Sequence, residues 1–369
     1  MHMRAALALA ARGLGNTWPN PAVGCVIVRD GPAGDQVVGR GWTQPGGRPH
    51  AETEALKRAG AAARGATAYV TLEPCCHWGR TPPCTDALAA AGIFRVVMAM
   101  RDPDPRVDGE GIARLRAAGI AVDEGLMEAE AAALNLGFVK RLRHGLPMVT
   151  LKLATTLDGR IATATKQSRW ITGPEARRAA HGLRARHDAI LVGSGTVIDD
   201  DPDLTCRLPG GVPVAAPRVV ADARLRIPLS SRLVRTARDV PTLVATVSGH
   251  PDTTLAPLRE AGVEVLELPE GPGGLAMEGI LRALAERGIT RVLAEGGSGI
   301  AASLLREGLV DRLAWFHAPS VIGGDGIPAA YNLNPDGPLS DLASAPKFRR
   351  VAVRPLGADM LTEFEREAG

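Results

Sequence analysis

The chain has 369 residues, with 43 Lys+Arg against 40 Asp+Glu and a formal net charge of +3. At roughly 150 residues per domain, this length gives two domains, each large enough to bury its own core. A hydrophobic fraction of 45% and a charged fraction of 22% exclude a wholly disordered chain, and the near-balance of charge argues against a dedicated nucleic-acid or membrane-surface binder.

No apolar run approaches the ~18 residues of a membrane span. The opening MHMRAALALAARG imitates a leader, but Arg4 and Arg12 close its apolar stretch and no cleavage site follows. Met3, Ala6, Leu7 and Ala10 instead share one face of a first amphipathic helix, and a cytoplasmic protein is expected. Strands are predicted at Val23–Val28 and, past an Asp30-Gly31 turn, at Val37–Gly41. A helix runs from Ala51 to Gly60, followed by a strand at Ala68–Leu72, a helix from Thr85 to Ala91 and a strand at Arg95–Met100. Ile112–Ala118 and Glu128–Arg143 read as helices, completing a β-β-α-β-α-β-α-β-α order and an α/β sandwich.

His144-Gly145-Leu146-Pro147 is the predicted linker, which makes residues 1–145 and 146–369 the two domains. The second is again α/β, with strands at Val149–Ala154, Ala189–Gly193, Arg218–Ala221, Thr242–Val247, Glu264–Leu268 and Arg291–Ala294. Thr172-Gly173-Pro174-Glu175 has the form of a capping box, and Gly210–Pro217 and Gly271–Gly274 read as loops.

Five cysteines disfavour a secreted disulfide scaffold, and the crowding of Cys75, Cys76 and Cys84 into ten residues favours metal binding. Cys25 reads as a small buried hydrophobe, while Cys206 sits alone. A hydrolytic zinc needs three protein ligands and one open position, and His50, Cys75 and Cys84 supply three. Glu52, two residues past His50, can lie beside the metal and move protons for it. This is the logic of the zinc nucleobase deaminases, whose signature is H-x-E followed by P-C and a second cysteine. A closed structural zinc that recruits Cys76 or His77 is the alternative.

The run Ala66–Cys75, with Gly79-Arg80-Thr81-Pro82-Pro83-Cys84 and Pro19-Asn20-Pro21-Ala22-Val23-Gly24, resembles the bifunctional deaminase–reductases of riboflavin biosynthesis. That resemblance implies a cytidine-deaminase-like three-layer sandwich at the N-terminus. It places Asn20 against the pyrimidine and Arg80 against the ribose phosphate, a contact that suits a guanidinium. Two positions depart from the family pattern: Thr43 stands where a His is frequent and Asp104 where an Asn is usual.

In the second half, Glu295-Gly296-Gly297-Ser298-Gly299 between a strand and the helix Ile300–Arg306 reads equally as a phosphate cradle or as an ordinary tight strand–helix turn, and Ser194-Gly195-Thr196 is a similar and equally weak hint. Neither forms the G-x-G-x-x-G fingerprint. The resemblance continues through Lys152-Leu153-Ala154, Leu157–Arg160, Ser168–Thr172, Asp200–Arg207, Ala318-Pro319 and Gly323-Gly324. It implies a dihydrofolate-reductase-like domain that uses NADPH. By this likeness Ala154, Trp170, Thr196, Asp200, Ala223 and Gly297, Ser298, Gly299, Ile300, Ala301, Ala302 and Ser303 meet the dinucleotide. Ser168, Arg184, Leu204, Arg207 and Glu295 meet the ribosyl-pyrimidine phosphate. Small-molecule substrates, no nucleic acid, no membrane and a homo-oligomer follow from the same reading. No side chain of the second half stands out as a general acid, and the acidic run Asp199–Asp203 reads as a polar loop without a second metal.

Overall fold

A computed structural model of the chain describes every residue except 32–33, 80, 212–213, 272–273, 335–338, 340 and 368–369. Among the described residues, no helix is long and apolar enough to cross a membrane. The chain divides into two compact units, Met1–Gly145 and Leu146–Gly369.

The first unit runs α1 (His2–Ala10), β1 (Gly24–Arg29), β2 (Gln36–Trp42), α2 (Ala51–Ala59), β3 (Thr67–Val70), α3 (Cys84–Ala90), β4 (Arg95–Met98), α4 (Glu110–Ala117), β5 (Ala121–Asp123), α5 (Glu128–Leu134) and α6 (Leu136–His144). Its sheet has the order β2-β1-β3-β4-β5. The β1 strand is antiparallel to both neighbours, whereas β3, β4 and β5 are parallel.

Three layers follow from the pleat. Gly24 pairs with Trp42 and Cys25 with Gly41, so Gly24 and Gly41 point to opposite faces. On one face α1 packs so tightly that a Cβ at Gly24 would stand 1.9 Å from the Ala6 carbonyl oxygen. On the other, α2 presents Ala51, Ala55 and Ala59, a stripe of period four, to Gly39 and Gly41. There a Cβ would fall 2.3 Å from the Ala55 oxygen and 2.1 Å from the Ala51 oxygen. The helix lies backbone against backbone on β2, and this fixes the height of its first turn above the sheet.

The helix expected over Glu128–Arg143 is broken at Asn135. Its side-chain amide pairs with the backbone of Ala22, accepting from the amide nitrogen and donating to the carbonyl oxygen at 3.0 Å each. Gly145 ends α6 in the left-handed region at φ 65, its amide returning to the Arg141 oxygen.

The second unit contains β6 (Met148–Thr155), β7 (Arg160–Ala162), α7 (Pro174–Arg184), β8 (Ala189–Gly193), α8 (Ser194–Asp200), β9 (Arg218–Ala221), α9 (Arg232–Arg235), β10 (Thr242–Val247), α10 (Asp252–Glu260), β11 (Glu264–Leu268), β12 (Glu270–Gly271), β13 (Gly274–Leu275), α11 (Met277–Glu286), β14 (Arg291–Ala294), α12 (Ser298–Arg306), β15 (Arg312–His317), β16 (Ile327–Pro328), β17 (Phe348–Leu356) and β18 (Asp359–Arg366). Its main sheet has nine strands in the order β11-β10-β9-β8-β14-β6-β15-β18-β17. The strands from β11 to β15 are mutually parallel, and the β17–β18 hairpin adds on antiparallel. One core gathers Ile190, Val192, Val220 and Val244; another joins Ala176 of α7 to Ala314, Phe316 and Leu361.

Just past α7, His187 is buried between Leu183 and Thr150: Nδ1 lies 2.7 Å from the Leu183 carbonyl oxygen and Nε2 2.8 Å from the Thr150 hydroxyl. A carbonyl can only accept, so Nδ1 carries the proton and Nε2 accepts. Burial pushes this imidazole down to about 3, which keeps it neutral.

Two local expectations are corrected here. The capping box at Thr172–Glu175 does not form: Gly173 is the N-cap and has no side chain of its own to cap α7. The Gly173 amide donates instead to Asp359 Oδ2 at 2.6 Å, so a strand residue far along the chain does the capping. The stretch Gly271–Gly274 is not simply a loop, because β12 and β13 pair across it.

Gly41→Ala should lower the stability of the first unit by about 1–3 kcal/mol, because α2 must lift to admit the methyl group. At Gly182, on α7, a Cβ would have nothing within 4 Å, so Gly182→Ala should leave Tm unchanged or raise it. Thermal unfolding of the two variants checks both signs.

Candidate functional site

Three segments of the first unit converge. His50 is the N-cap of α2, and Glu52 lies buried in that helix's first turn. Cys84 is the first residue of α3, and Cys75 follows the end of β3 in an irregular turn. His50 Nδ1 lies 3.6 Å from Cys75 Sγ and 3.4 Å from Cys84 Sγ, and the three donor atoms are within 4.8 Å of one another. A tetrahedral zinc with Zn–S about 2.3 Å and Zn–N about 2.0–2.1 Å has S···N edges of about 3.5 Å and an S···S edge of about 3.8 Å. The donor set and its spacing therefore fit zinc.

Among the described residues that could join this group, none supplies a fourth ligand. Cys76 Sγ points to the Arg106 carbonyl oxygen at 3.6 Å, and His77 is not among the residues whose donor atoms gather with those of His50, Cys75 and Cys84. Three protein donors are the number a hydrolytic zinc would need, with water as its further ligand.

Local electrostatics favour a thiolate. The Cys84 thiol, with the His50 ring and the Cys84 amide, holds Cys75 down at about 4 despite burial. The Cys84 amide donates to Cys75 Sγ at 3.3 Å, and the Thr85 amide and hydroxyl both reach the Cys75 carbonyl oxygen, at 3.2 and 3.3 Å. Burial pushes the Glu52 carboxyl up, and the charge of the His50 ring acts against that rise.

Asn20 joins this neighbourhood through its loop. Its Nδ2 donates to the Gly47 carbonyl oxygen at 2.9 Å, three residues before His50. Gly47 has φ 81, and a Cβ there would stand 2.3 Å from Asn20 Nδ2. Arg80 lies outside the described residues. The hydroxyl of Thr43 is taken up by the Val23 amide at 3.0 Å, so this departure from the family pattern acts as a backbone strut. Asp104 is held below the usual carboxylate range by Arg106, which it pairs with through both oxygens.

In the second unit, the two weak glycine signals prove to be neighbours. Gly297, the N-cap of α12, donates its amide to Thr196 Oγ1 of α8 at 3.2 Å. Ile300 packs over both Gly193 and Gly296, while Ala301 and Ala302 are buried in the core and Ser303 meets Arg306. Trp170 is 69% exposed and lies under the guanidinium of Arg177 at 4.6 Å, with Arg169 also near. Ser168 Oγ is 3.4 Å from Asp200, and Ala154 pairs with Phe316 across β6 and β15. The Ala223 carbonyl oxygen accepts from Thr246 and His250. Asp199 pairs with Lys166, Asp200 with Arg169, Asp201 with Arg232, and Asp203 with both Arg207 and Arg232.

Arg184 is not a free cation. It forms a two-pronged pair with Glu295, at 2.5 and 3.0 Å, and reaches the Thr205 carbonyl oxygen at 2.9 Å. Burial opposes charge on Glu295, but Arg184 and Lys152 outweigh it and hold the carboxyl below its ordinary range. Leu204 is buried next to Thr205 with φ 52, and the Arg207 amide donates to His181 Nδ1 at 3.2 Å. Lys152 is the residue that sequence reasoning passed over: burial lowers its amine, and Glu295 and Arg184 are the charges it feels. Its signals were a lysine inside a predicted buried strand and a place in the Lys152-Leu153-Ala154 segment of the resemblance.

Comparison with known proteins follows this division. Residues 1–100 match the family described as cytidine and deoxycytidylate deaminase zinc-binding region, and residues 147–362 match the RibD C-terminal domain. The chain is 44% identical over 366 residues to riboflavin biosynthesis protein RibD of Escherichia coli K12, covering 97% of each. It is 43% identical to the Aquifex aeolicus protein of the same name, covering 99% of this chain and 98% of the relative. Acinetobacter baumannii RibD, form 1, superposes with a TM-score of 0.87 at 38% identity, covering 100% of this chain and 98% of that one. A Thermotoga maritima diaminohydroxyphosphoribosylaminopyrimidine deaminase/5-amino-6-(5-phosphoribosylamino)uracil reductase gives 0.83 at 37%, covering 99% and 97%. With identity of this level running through both units, the chain belongs to the RibD family of bifunctional riboflavin-biosynthesis enzymes, which join a zinc-binding deaminase domain to an NADPH-using reductase domain.

Proposed function

We propose that residues 1–145 remove the ring amino group of 2,5-diamino-6-ribosylamino-4(3H)-pyrimidinone 5′-phosphate, and that residues 146–369 reduce the ribosyl chain of the product to the ribityl form. The observation that carries this reading is the convergence of His50, Cys75 and Cys84 donors within 4.8 Å, with the buried Glu52 carboxyl beside Cys84. His50, Cys75 and Cys84 would hold a zinc ion, which would lower the pKa of water to about 7 and supply a nucleophile at neutral pH. Glu52 takes the proton released and returns it to the departing amine. Asn20 orients the pyrimidine from its anchored loop, and Arg80 receives the phosphate.

For the second step, the adjoining backbone of Gly297–Ile300 and Thr196 receives the dinucleotide, with Trp170 as an exposed aromatic surface. Ala154, Asp200, Ala223 and the remainder of α12 through Ser303 complete that cofactor surface. Ser168, Leu204, Arg207 and the Arg184–Glu295 pair hold the ribosyl-pyrimidine phosphate. In this arrangement Arg184 orients Glu295 and leaves Arg207 as the freer cation. As the C1′–O4′ bond opens and hydride from the nicotinamide adds to C1′, Lys152 supplies the proton that O4′ takes up. The protein's main contribution is to hold the nicotinamide against that carbon.

A cytoplasmic homo-oligomer belongs to the same reading. The exposure of Val351, Val353 and Met360 on the β17–β18 hairpin supports it. Light scattering should give a mass above the 38.5 kDa of one chain.

The direct test supplies zinc-replete protein with the diaminopyrimidine ribosyl phosphate and records ammonia release and NADPH oxidation together. Ammonia should come first and NADPH loss should follow. Ammonia without NADPH loss would remove the reductase assignment, and neither signal would remove the substrate. Glu52→Gln should retain its zinc and lose ammonia release by about 10²–10⁴-fold, while NADPH oxidation on the deaminated intermediate continues. Loss of zinc in that variant would make Glu52 structural. Arg184→Ala should destabilise the second unit by about 3 kcal/mol, the lower end for a broken buried pair because Lys152 stays beside Glu295. Denaturant unfolding measures it, and an unchanged midpoint would contradict the buried-pair description.

A further inference from the structure

We infer that Glu73 is a positioning residue of the metal centre. Its carboxylate ties the Cys75 turn to the N-terminus of α4 and to the segment that carries Asp102, and so sets where Cys75 Sγ stands. The consequence for turnover rests on the deaminase reading; the geometry does not.

Glu73 is 3% exposed and lies two residues before Cys75. Oε1 accepts from the Gly109 and Ile112 amides at 3.1 Å each. Oε2 accepts from the Gly109 amide at 3.0 Å and the Asp102 amide at 3.3 Å. Gly109 is the N-cap of α4 and carries no capping side chain of its own. Glu73 thus fills the cap from another segment, placing negative charge where the helix N–H groups and dipole favour it. The turn is held from its far side as well, since Arg114 of α4 donates to the Cys76 carbonyl oxygen at 2.8 Å. The two elements also touch closely: a Cβ at Gly111 would stand 2.4 Å from the Pro74 oxygen and 2.9 Å from Glu73 Oε1. Cys75 is therefore bracketed by anchors to one helix, at Glu73 before it and at Cys76 after it. A ligand on an irregular turn needs such fixing, because outer groups that orient ligands typically change metal affinity or activity 10–100-fold when removed.

The experiment uses the full chain, loaded with zinc or substituted with cobalt(II), and compares wild type with Glu73→Gln, Glu73→Ala and Gly111→Ala. The Ala variant should release zinc to a chelating dye at least about ten-fold faster, shift the cobalt ligand-field bands and lower kcat for ammonia release 10–100-fold. The Gln variant keeps one accepting oxygen and should fall between it and wild type. Gly111→Ala keeps the Glu73 carboxylate in the chain but crowds it and pushes α4 off the turn, and should move the cobalt bands in the same way, which keeps the test alive if the Glu73 variants fail to fold. NADPH oxidation on the deaminated intermediate should not change. Variants that melt earlier yet keep the wild-type cobalt spectrum and zinc release rate would overturn the inference and leave Glu73 a plain helix cap. Shifted bands in a protein whose wild type releases no ammonia would uphold the positioning and remove the deaminase reading.

Discussion

A tetrahedron of fixed size sets the tolerance of the first unit. Donor atoms from three separate segments must meet at separations of about 3.5–3.8 Å, and a displacement of a few tenths of an ångström at any of them spoils the fit. The fold meets that demand by fixing each segment differently. His50 is set by the height of α2 above β2, where glycine faces alanine across bare backbone. Cys84 rides on the first turn of α3, whose second residue clasps the Cys75 carbonyl oxygen. Cys75 lies in an irregular turn and depends on its neighbours, which is why so many hydrogen bonds gather on residues 73–76.

The second unit solves a different problem, that of holding opposite charges together away from solvent. Arg184, Glu295 and Lys152 sit together with little water, so each ion's state is decided by the others. Glu295 heads the glycine segment of α12 and Arg184 ends α7, so the pair also links two helices whose termini flank the cradle. One ion pair therefore serves packing and site geometry together.

Much of this was legible in the chain. The spacing of His50, Glu52, Cys75 and Cys84 states a chemistry that few other patterns share, and the faces of α1 and α2 are written in their apolar periodicity. What escaped was non-local. Asn135 looks like an ordinary helix residue until Ala22 is placed beside it, and Thr172 looks like a cap until Asp359 arrives from β18. Arg184 suited a phosphate by chemistry alone; only the packing shows its guanidinium already paired. The two glycine segments were ambiguous singly, and the Gly297–Thr196 contact is what joins them. The β17 strand is mostly exposed along its length and lacks the alternation that marks a half-buried strand.

The glycine–alanine seam between β2 and α2 has a consequence for how such a protein can change over evolutionary time. Most cores drift by trading Leu, Ile, Val and Met among facing positions, each loss of volume matched by a gain nearby. Here neither side has volume to trade, since Gly39 and Gly41 lie directly against the backbone of Ala51 and Ala55. Lineages adapting to heat or cold would have to leave this seam alone and work on the outer face of the same helix. There Thr53 and Lys57 are exposed, whereas Glu54 and Arg58 pair along the edge of the seam and Arg58 covers Trp42. Thermal adaptation and metal geometry are thereby separated onto two sides of a single helix.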